Sequence, residues 1–515
     1  MMFRMLRRES RVWNLALLYG SLSGGIVLLA LLGNAAREAL AAGPAGAQKN
    51  EDGTYGPGHV NVIKLNGAIF ENWTPPRAVI VITGSQDGYI EPCGCAGLEN
   101  QKGGMSRRAD LLAQLAAKKW PVIALDTGGL VKGFGQQAIL KYTAAIESLN
   151  AMDYSVIGLG TPELKLPVDE LLVLNAGNPR SISANVVLDK ALAMPTYRVL
   201  TVNGIKIGVT SILSGDEFKQ INNKGLALQD PITALHSVIP ALVKEGCQRI
   251  IVLTYSSNQK EIDAIVKQYP LITDIVTSGN GDIPPADPAF VPGTKTLQLE
   301  TGHKGMYALA LGIFDDPQQP VRYQRIPLDA RFGDNAAIAK IFALYQDQLA
   351  ALGLQKLGVR AAPHPTGRGL FTGSEACGKC HTQAYKVWKD TPHAEAMTTL
   401  VNGTPQRHHD PECISCHATG WEPQKFYPYT GGYQNLQDTP HLAGNGCENC
   451  HGPGKKHAEA EAMPKQIDPK LLAALRNSMR VSRDESGCVN CHDVDNSPDF
   501  KFDDYWPSVE HKGKN

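Results

Sequence analysis

The sequence predicts a chain in two parts, an α/β region over residues 78–330 and a mainly α-helical and irregular region over 374–515, preceded by one N-terminal apolar helix. Three observations carry this. Between residues 78 and 330, short β-branched runs alternate with helical patterns. From Ser374 onward strand-like alternation stops and four copies of one five-residue pattern take its place. Ahead of both, residues 12–33 contain no charged side chain.

The N-terminal element is justified by charge and length. Arg4, Arg7, Arg8 and Arg11, with Glu9 as the one acidic residue among them, lead into the apolar run. At 1.5 Å per residue a run of roughly 22 residues reaches about 33 Å, enough to cross a hydrocarbon core, whereas a cleavable signal needs only about 7–15. A retained anchor is the favoured expectation, with a cleaved signal as the alternative because Ala39-Leu40-Ala41 offers a small-x-small site. Both place the body of the protein outside the cytoplasm, in a periplasm or on the outer side of the cytoplasmic membrane, with the arginine-rich end held inside. A Gly/Pro/Ala-rich and polar stretch then begins, and residues 41–77 read as a linker.

The α/β region follows. Candidate strands are 78–83, 122–126, 155–158, 181–187, 197–202, 206–211, 249–253, 274–277 and 306–314, and candidate helices are 105–119, 137–152, 168–176, 231–245, 261–269 and 336–354. Asn203-Gly204 marks a hairpin turn. Strand–helix alternation followed by hairpins predicts a central mixed sheet with helices outside it. Residues 331–373 read as a helix and then a linker, because 358–373 turn to Ala, Pro, Gly and His.

Composition bounds the function. The 515 residues carry 50 basic and 50 acidic side chains, and 43% are hydrophobic. That leaves room for two to four domains, and the charge balance removes the basic footprint that a nucleic-acid backbone requires.

The repeated pattern is Cys-x-x-Cys-His, at Cys377/Cys380/His381, Cys413/Cys416/His417, Cys447/Cys450/His451 and Cys488/Cys491/His492. Two cysteines three positions apart can each form a thioether to one porphyrin, and the adjoining histidine then reaches the iron. A zinc ribbon would pair Cys-x-x-Cys units around a metal, with no reason for a histidine after every second cysteine. Four such copies predict four c-type haems. The remaining cysteines draw no disulfide framework: Cys247 reads as a small buried hydrophobe, and Cys93-Gly94-Cys95 as a packed turn, a strained disulfide or a metal site.

A second axial ligand must come from elsewhere in the segment, which holds His393, His408, His409, His441, His457 and His511, besides Met397, Met463 and Met479. The run from Cys377 to Met397, Cys-Gly-Lys-Cys-His-Thr-Gln-Ala-Tyr-Lys-Val-Trp-Lys-Asp-Thr-Pro-His-Ala-Glu-Ala-Met, resembles the first haem region of multihaem cytochromes c similar to the tetrahaem cytochrome c of nitrifying bacteria. Cys-Glu-Asn-Cys-His-Gly-Pro-Gly-Lys-Lys-His, ending at His457, resembles the third. The resemblance implies that His393 and His457 are distal ligands to haems attached at other motifs. His511 stands where a chain-terminal distal ligand would close the fold, His409 or its neighbour His408 is a further candidate, and His441 reads as structural. That family can leave one haem five-coordinate, so a reactive open iron is an alternative.

Residues 78–330 resemble the metallophosphoesterase domain of the 5′-nucleotidase family. The likeness runs through Ile-Glu-Pro-Cys-Gly-Cys from Ile90, Gly-Gly-Met-Ser-Arg-Arg-Ala-Asp-Leu from Gly103, Ile-Ala-Leu-Asp-Thr-Gly-Gly from Ile123, Tyr-Ser-Val-Ile-Gly-Leu-Gly from Tyr154 and Gly-His-Lys-Gly-Met-Tyr from Gly302. Such enzymes hold two metals with carboxylate and imidazole ligands. At the matching positions this chain has Ser85-Gln86-Asp87, Gly129, Thr161-Pro162, Tyr255 and Gly279-Asn280-Gly281-Asp282. Every ligand position departs from the pattern. Asp87, Asn280, Asp282 and Glu163 remain as candidates for one hard cation, against solvated loop residues as the plainer reading.

The expectation is therefore a periplasmic electron carrier with four c-type haems, working between a redox donor and an acceptor, beside a phosphoesterase-like scaffold without its catalytic site. A haem enzyme acting on a small nitrogen or sulfur compound, and a metal-dependent phosphatase, are the rivals.

Overall fold

The computed structural model describes residues 62–92, 101–133, 135–176, 178, 180–188, 194–497 and 500–511. The N-terminal apolar run, Cys93 and Cys95 lie outside these. Among the described residues no helix is long and apolar enough to cross a membrane. The chain divides into two compact units, one built mainly from residues up to Ile341 and the other mainly from Phe342 onward.

The first unit contains not one central sheet but two. Strands β1 (Ala78–Thr83), β2 (Val122–Asp126) and β3 (Val156–Ile157) run parallel. Later in the chain come β4 (Val186–Val187), β5 (Tyr197–Val202), β6 (Ile205–Leu213), β7 (Ala227–Leu228), β8 (Arg249–Tyr255), β9 (Asp274–Thr277), β10 (Ala289–Phe290), β11 (Leu297–Glu300), β12 (Tyr307–Ile313) and β13 (Val321–Pro327). One sheet has the order β13-β12-β1-β2-β3 and the other β10-β11-β9-β8-β6-β5, while β4 and β7 pair as a small ribbon.

Side-chain alternation explains the layering. Ala78, Ile80 and Ile82 on one face of β1 pack with Ile207, Val209, Ile251 and Leu253 of the second sheet. Val79 and Val81 on the other face pack with Leu111 and Leu115 of helix α1 (Met105–Ala117). The outer face of the second sheet, with Ile250, Val252 and Ile275, is covered by α4 (Pro231–Lys244) and α5 (Gln259–Gln268), which follow α2 (Gln136–Ala151) and α3 (Val168–Ala176) in the chain. A strand buried on both faces reads as a continuous apolar run, so the sequence does not distinguish one covered sheet from two stacked ones. The predicted strand over 181–187 is reduced to Val186–Val187, with Ser181 making a single bridge to Ile157. The strand over Val321–Pro327, absent from the sequence reading, pairs along β12.

The second unit is short helices and irregular chain. It takes in the end of α6 (Ala336–Lys356), then α7 (Ser374–Gly378), α8 (Thr382–Lys389), α9 (Ala396–Asn402), α10 (Pro411–His417), α11 (Cys447–His451), α12 (Lys455–Ala462), α13 (Pro469–Ser478) and α14 (Phe502–Val509). A small ribbon joins Trp421–Glu422 to Tyr427–Pro428. Residues 358–373, which read as a linker from composition, are packed: Phe371 lies in the core with Met397, Ile414 and Trp421, and Ala362 bridges Tyr429.

Candidate functional sites

In the second unit each pentapeptide closes a tight turn, so its cysteines and histidine project from one short element. The second and third lie within α10 and α11. In the first and fourth, the histidine N–H returns to the carbonyl of the leading cysteine, His381 to Cys377 at 2.9 Å and His492 to Cys488 at 2.8 Å. One carboxylate fixes the third motif. Glu448, inside that pentapeptide, accepts from the backbone N–H groups of Thr372 (3.0 Å to each oxygen), Gly373 (2.7 Å) and Gly454 (2.7 Å). Burial raises its carboxyl above the usual range while these donors oppose the shift.

The first and third motifs meet through Cys377 and Cys447, and the second and fourth through Cys416 and Cys491. None of the eight motif cysteines forms a disulfide. Their sulfurs stand where thioether sulfurs would be, so their acidity has no bearing on a matured protein. Cys413, Cys488 and the four cysteines that meet in pairs are partly buried, whereas Cys380 and Cys450 are exposed. His381, next to Cys380, is exposed with it. Across α7 and α8, which flank Cys380, Ser374 is the one buried residue, so the protein's own packing lies against the start of this turn.

The histidines pair in space across long sequence separations. His381 stands opposite His457 with ring centroids 6.3 Å apart, His393 opposite His492 at 6.1 Å, and His451 opposite His511 at 5.8 Å. Two imidazoles bound on opposite sides of one metal, each at about 2.0–2.1 Å, place their ring centres about 6.3 Å apart. The His381–His457 pair matches that span, and the other two fall short of it by 0.2 and 0.5 Å.

In His417 and in several of the paired histidines Nδ1 is already engaged, so Nε2 would be the nitrogen offered to a metal. His417 Nδ1 donates to the Ala396 carbonyl (2.6 Å), His451 Nδ1 to that of Met479 (2.5 Å) and His511 Nδ1 to that of Val509 (2.9 Å). His492 Nδ1 contacts Ser497 Oγ at 2.9 Å. Burial pushes His393, His417, His451, His457 and His492 below the ordinary imidazole range, which favours the neutral, ligating form.

His409 is placed differently. Its ring lies 3.9 Å from that of its neighbour His408, in a recess of about 390 Å³ lined also by Ile414, Gln434, Asn435 and Asp438. His441 is exposed. Of the three methionines, Met397 sulfur takes the Tyr433 hydroxyl (3.9 Å), Met479 sulfur takes Arg368 (3.7 Å), and Met463 is exposed.

In the first unit the loops at the carboxyl ends of the parallel strands converge, as open α/β sheets require of a site. What they bring together is not a ligand set. Arg108 on α1 is fully buried and donates to Asp126 (3.3 Å) and to Gln86. Asp126 also accepts from Thr83 (2.6 Å) and from the Gly128 N–H (2.9 Å). Glu163 accepts from the N–H groups of Gly129 (2.9 Å) and Gly160 (2.8 Å), and burial raises it to about 7. At Gly129, φ is +74° and an added Cβ would collide with the Tyr255 ring.

The cation candidates do not converge. Asp87 is held by His303 (3.0 Å) and the Lys304 N–H (3.1 Å), which raises the His303 imidazole, and Asp282 is held by the Lys304 ammonium (2.8 Å). Among the described residues no group of three or more His, Cys, Asp or Glu side chains is arranged to hold a metal. The sequence reading passed over Arg108 and Asp126. The signal available was an aspartate ending an otherwise apolar strand, Val122–Asp126.

Comparison with known proteins agrees with this division. Residues 376–452 match the family described as Cytochrome c554 and c-prime. Cytochrome c-554 of Nitrosomonas europaea is 34% identical over 143 residues, covering 24% of this chain and 57% of that protein. The 5′-nucleotidase of Bos taurus is 27% identical over 198 residues, covering 36% of this chain and 34% of that one. A solved 5′-nucleotidase precursor from Thermus thermophilus overlays with a TM-score of 0.45 at 19% identity, covering 53% of this chain and 59% of that one. The chain spans less than two thirds of each of these relatives. It joins a cytochrome c554-like segment to a 5′-nucleotidase-like region.

Proposed function

We propose that this protein is an electron carrier bearing four covalent c-type haems, one at each pentapeptide, that works between two redox partners outside the cytoplasm. Its nucleotidase-like region, on this reading, has lost phosphoester hydrolysis. The observation that carries the proposal is the set of three imidazole pairs at 5.8–6.3 Å, each joining a pentapeptide histidine to a histidine from elsewhere.

On this reading His381 and His457 hold the first haem, His451 and His511 the third, and His492 and His393 the fourth, with His417 as the pentapeptide ligand at the second. When bound, the haem iron supplies reversible one-electron chemistry, with potentials set by ligands, burial and hydrogen bonding. The chain's own part is to fix ligands in advance. Carbonyl acceptors at Ala396 and Met479 hold their imidazoles in one tautomer and one orientation, which limits rearrangement on a change of charge. The contacts Cys377–Cys447 and Cys416–Cys491 bring the attachment points together two by two. The exposure of Cys380 and Cys450 is compatible with attachment, because a thioether joins the protein to the edge of a porphyrin and needs no enclosing pocket of its own.

Loss of hydrolysis is supported by what fills the strand-end loops. A two-metal site needs several carboxylates and imidazoles around both cations. Here the matching positions carry Gln86 bound to Arg108, Gly129 backed by Tyr255, and Pro162.

The test is the full chain made in a host that attaches c-type haem. The expected mass gain is four haems, and electron paramagnetic resonance of the oxidised protein should count low-spin irons that convert one at a time to high spin in His457→Ala, His511→Ala and His393→Ala. Fewer than four haems, or zinc at the pentapeptides, would overturn the carrier reading. Metal-dependent phosphate release from a nucleoside monophosphate, lost on substitution of Asp87, would overturn the other half.

A further inference from the structure

Arg368 lies ahead of the cytochrome-like match, in the stretch that composition marks as a linker. Its side chain is half-buried and its guanidinium lies against Gly452, the residue after His451, where an added Cβ would strike it. Nη1 donates to the His451 carbonyl (2.8 Å) and the Ser478 carbonyl, and contacts Met479 sulfur at 3.7 Å. Ser478 ends α13, so the arginine also caps a helix C-terminus, where a cation is favoured. The next carbonyl along, that of Met479, accepts the His451 Nδ1 proton. No described carboxylate forms an ion pair with Arg368, and burial alone lowers its pKa.

We propose that Arg368 is the positioning residue of the third haem site. It fixes the Met479 carbonyl that orients His451, and it sets an uncompensated positive charge beside that site that raises its reduction potential. Reduction of a ferric iron removes one positive charge, so a neighbouring cation stabilises the reduced state. The Nδ1–H to carbonyl bond works in the opposite sense, because it makes the imidazole a stronger donor to ferric iron. Arg368 thus couples two opposing controls through one backbone segment. This rests on the haem-carrier reading.

The experiment is a spectroelectrochemical titration of the full four-haem chain, with electron paramagnetic resonance, on Arg368→Gln and Arg368→Lys. Arg368→Gln keeps a planar donor and removes the charge. One of four one-electron waves should move down, with about a tenfold lower ferrous-to-ferric ratio at fixed potential, as expected for one half-buried charge. Arg368→Lys keeps the charge and loses the fork, so that wave should stay near its place while the same site's low-spin signal shifts. His511→Met identifies the wave, because His511 faces His451.

Four waves unmoved in Arg368→Gln, a shift shared by all four, or a moved wave other than the one His511→Met alters would each overturn the inference. If the glutamine variant does not accumulate, an unchanged low-spin signal in the lysine variant overturns it. Failure of the carrier reading looks different: the unsubstituted protein would then lack four waves.

Discussion

The two units solve the problem of holding a site by opposite means. In the first, seventeen buried apolar residues fill the space between two sheets, and further layers cover their outer faces. In the second, the apolar cluster has nine buried residues, and the stretch holding the fourth pentapeptide and α14 contributes no buried side chain in either of its helical turns. A scaffold that packs on itself can lose its cofactor ligands and persist. One with so small a core would depend on the group proposed to be attached at its motifs.

The largest expected effect follows from this contrast. The full chain produced without haem attachment should keep the α/β unit resistant to limited proteolysis, while cuts collect between residues 374 and 511. With four haems attached those cuts should disappear. Equal resistance of both units without haem would break the comparison, since the second unit would then have a sufficient core of its own.

The next effect tests the self-sufficient unit at its most polar point. Arg108 and Asp126 are both fully buried and pair with each other. Arg108→Ala leaves the Asp126 carboxyl without its counter-charge, which costs about 3–5 kcal/mol for a buried pair broken on one side. The urea transition of the α/β unit should move to much lower denaturant, and the haem optical spectrum should not change. A loss below about 1 kcal/mol would mean that Asp126 is neutral and needs no partner.

That pair also shows where sequence reading stops. The pentapeptides are legible because thioether attachment and the proximal ligand demand residues within five positions of one another. How far each is enclosed is not, since Cys377 and Cys380 share one motif and differ in burial through what packs on either side of them. Most strands were legible from β-branched runs. Two stacked sheets were not, because β1 is buried on both faces and its pattern says nothing about what covers it. The strand at Val321–Pro327 was hidden by Arg322, Gln324 and Arg325 within an edge strand that alternates weakly. Arg108 reaching Asp126, and His393 reaching His492, are tertiary meetings that no spacing rule encodes. At His393 and His457 the family likeness supplied a direction but not which pentapeptide each ring faces.

A smaller, pH-dependent effect belongs to Glu163. Its carboxyl sits at about 7 in the fold against 4.5 unfolded, raised chiefly by burial and opposed by the Gly160 and Gly129 N–H groups. Below about pH 4.5 both states are protonated and the residue is neutral to stability. As pH climbs from about 4.5 to about 7 the unfolded chain ionises first and stability falls, by up to about 3 kcal/mol at neutral pH and above. Glu163→Gln keeps an oxygen for the two N–H donors and cannot ionise. Its unfolding free energy should exceed that of the unsubstituted protein at pH 8 and match it near pH 4. A variant less stable at pH 8 would mean that the carboxylate, held by those donors, is the favoured form.

The smallest effect compares one device in both units. Asp230 before Pro231 and Asp468 before Pro469 cap α4 and α13 in the same way, Asp230 accepting the Thr233 N–H at 2.8 Å and Asp468 the Lys470 N–H at 2.7 Å. Replacing either by Ala removes about 1 kcal/mol of capping. The consequences should part company. α4 buries Leu235, Val238, Ile239 and Leu242, so Asp230→Ala is felt by the whole unit as a shifted unfolding midpoint. α13 buries Leu472 alone and ends at Ser478, one residue before the carbonyl that holds His451. Asp468→Ala should therefore leave the midpoint nearly unmoved and appear as faster amide exchange along α13, with a small change in one low-spin signal. If Asp468→Ala lowered the midpoint as far as Asp230→Ala does, α13 would be part of a cooperative core, and the contrast between the two units would be one of composition and not of construction.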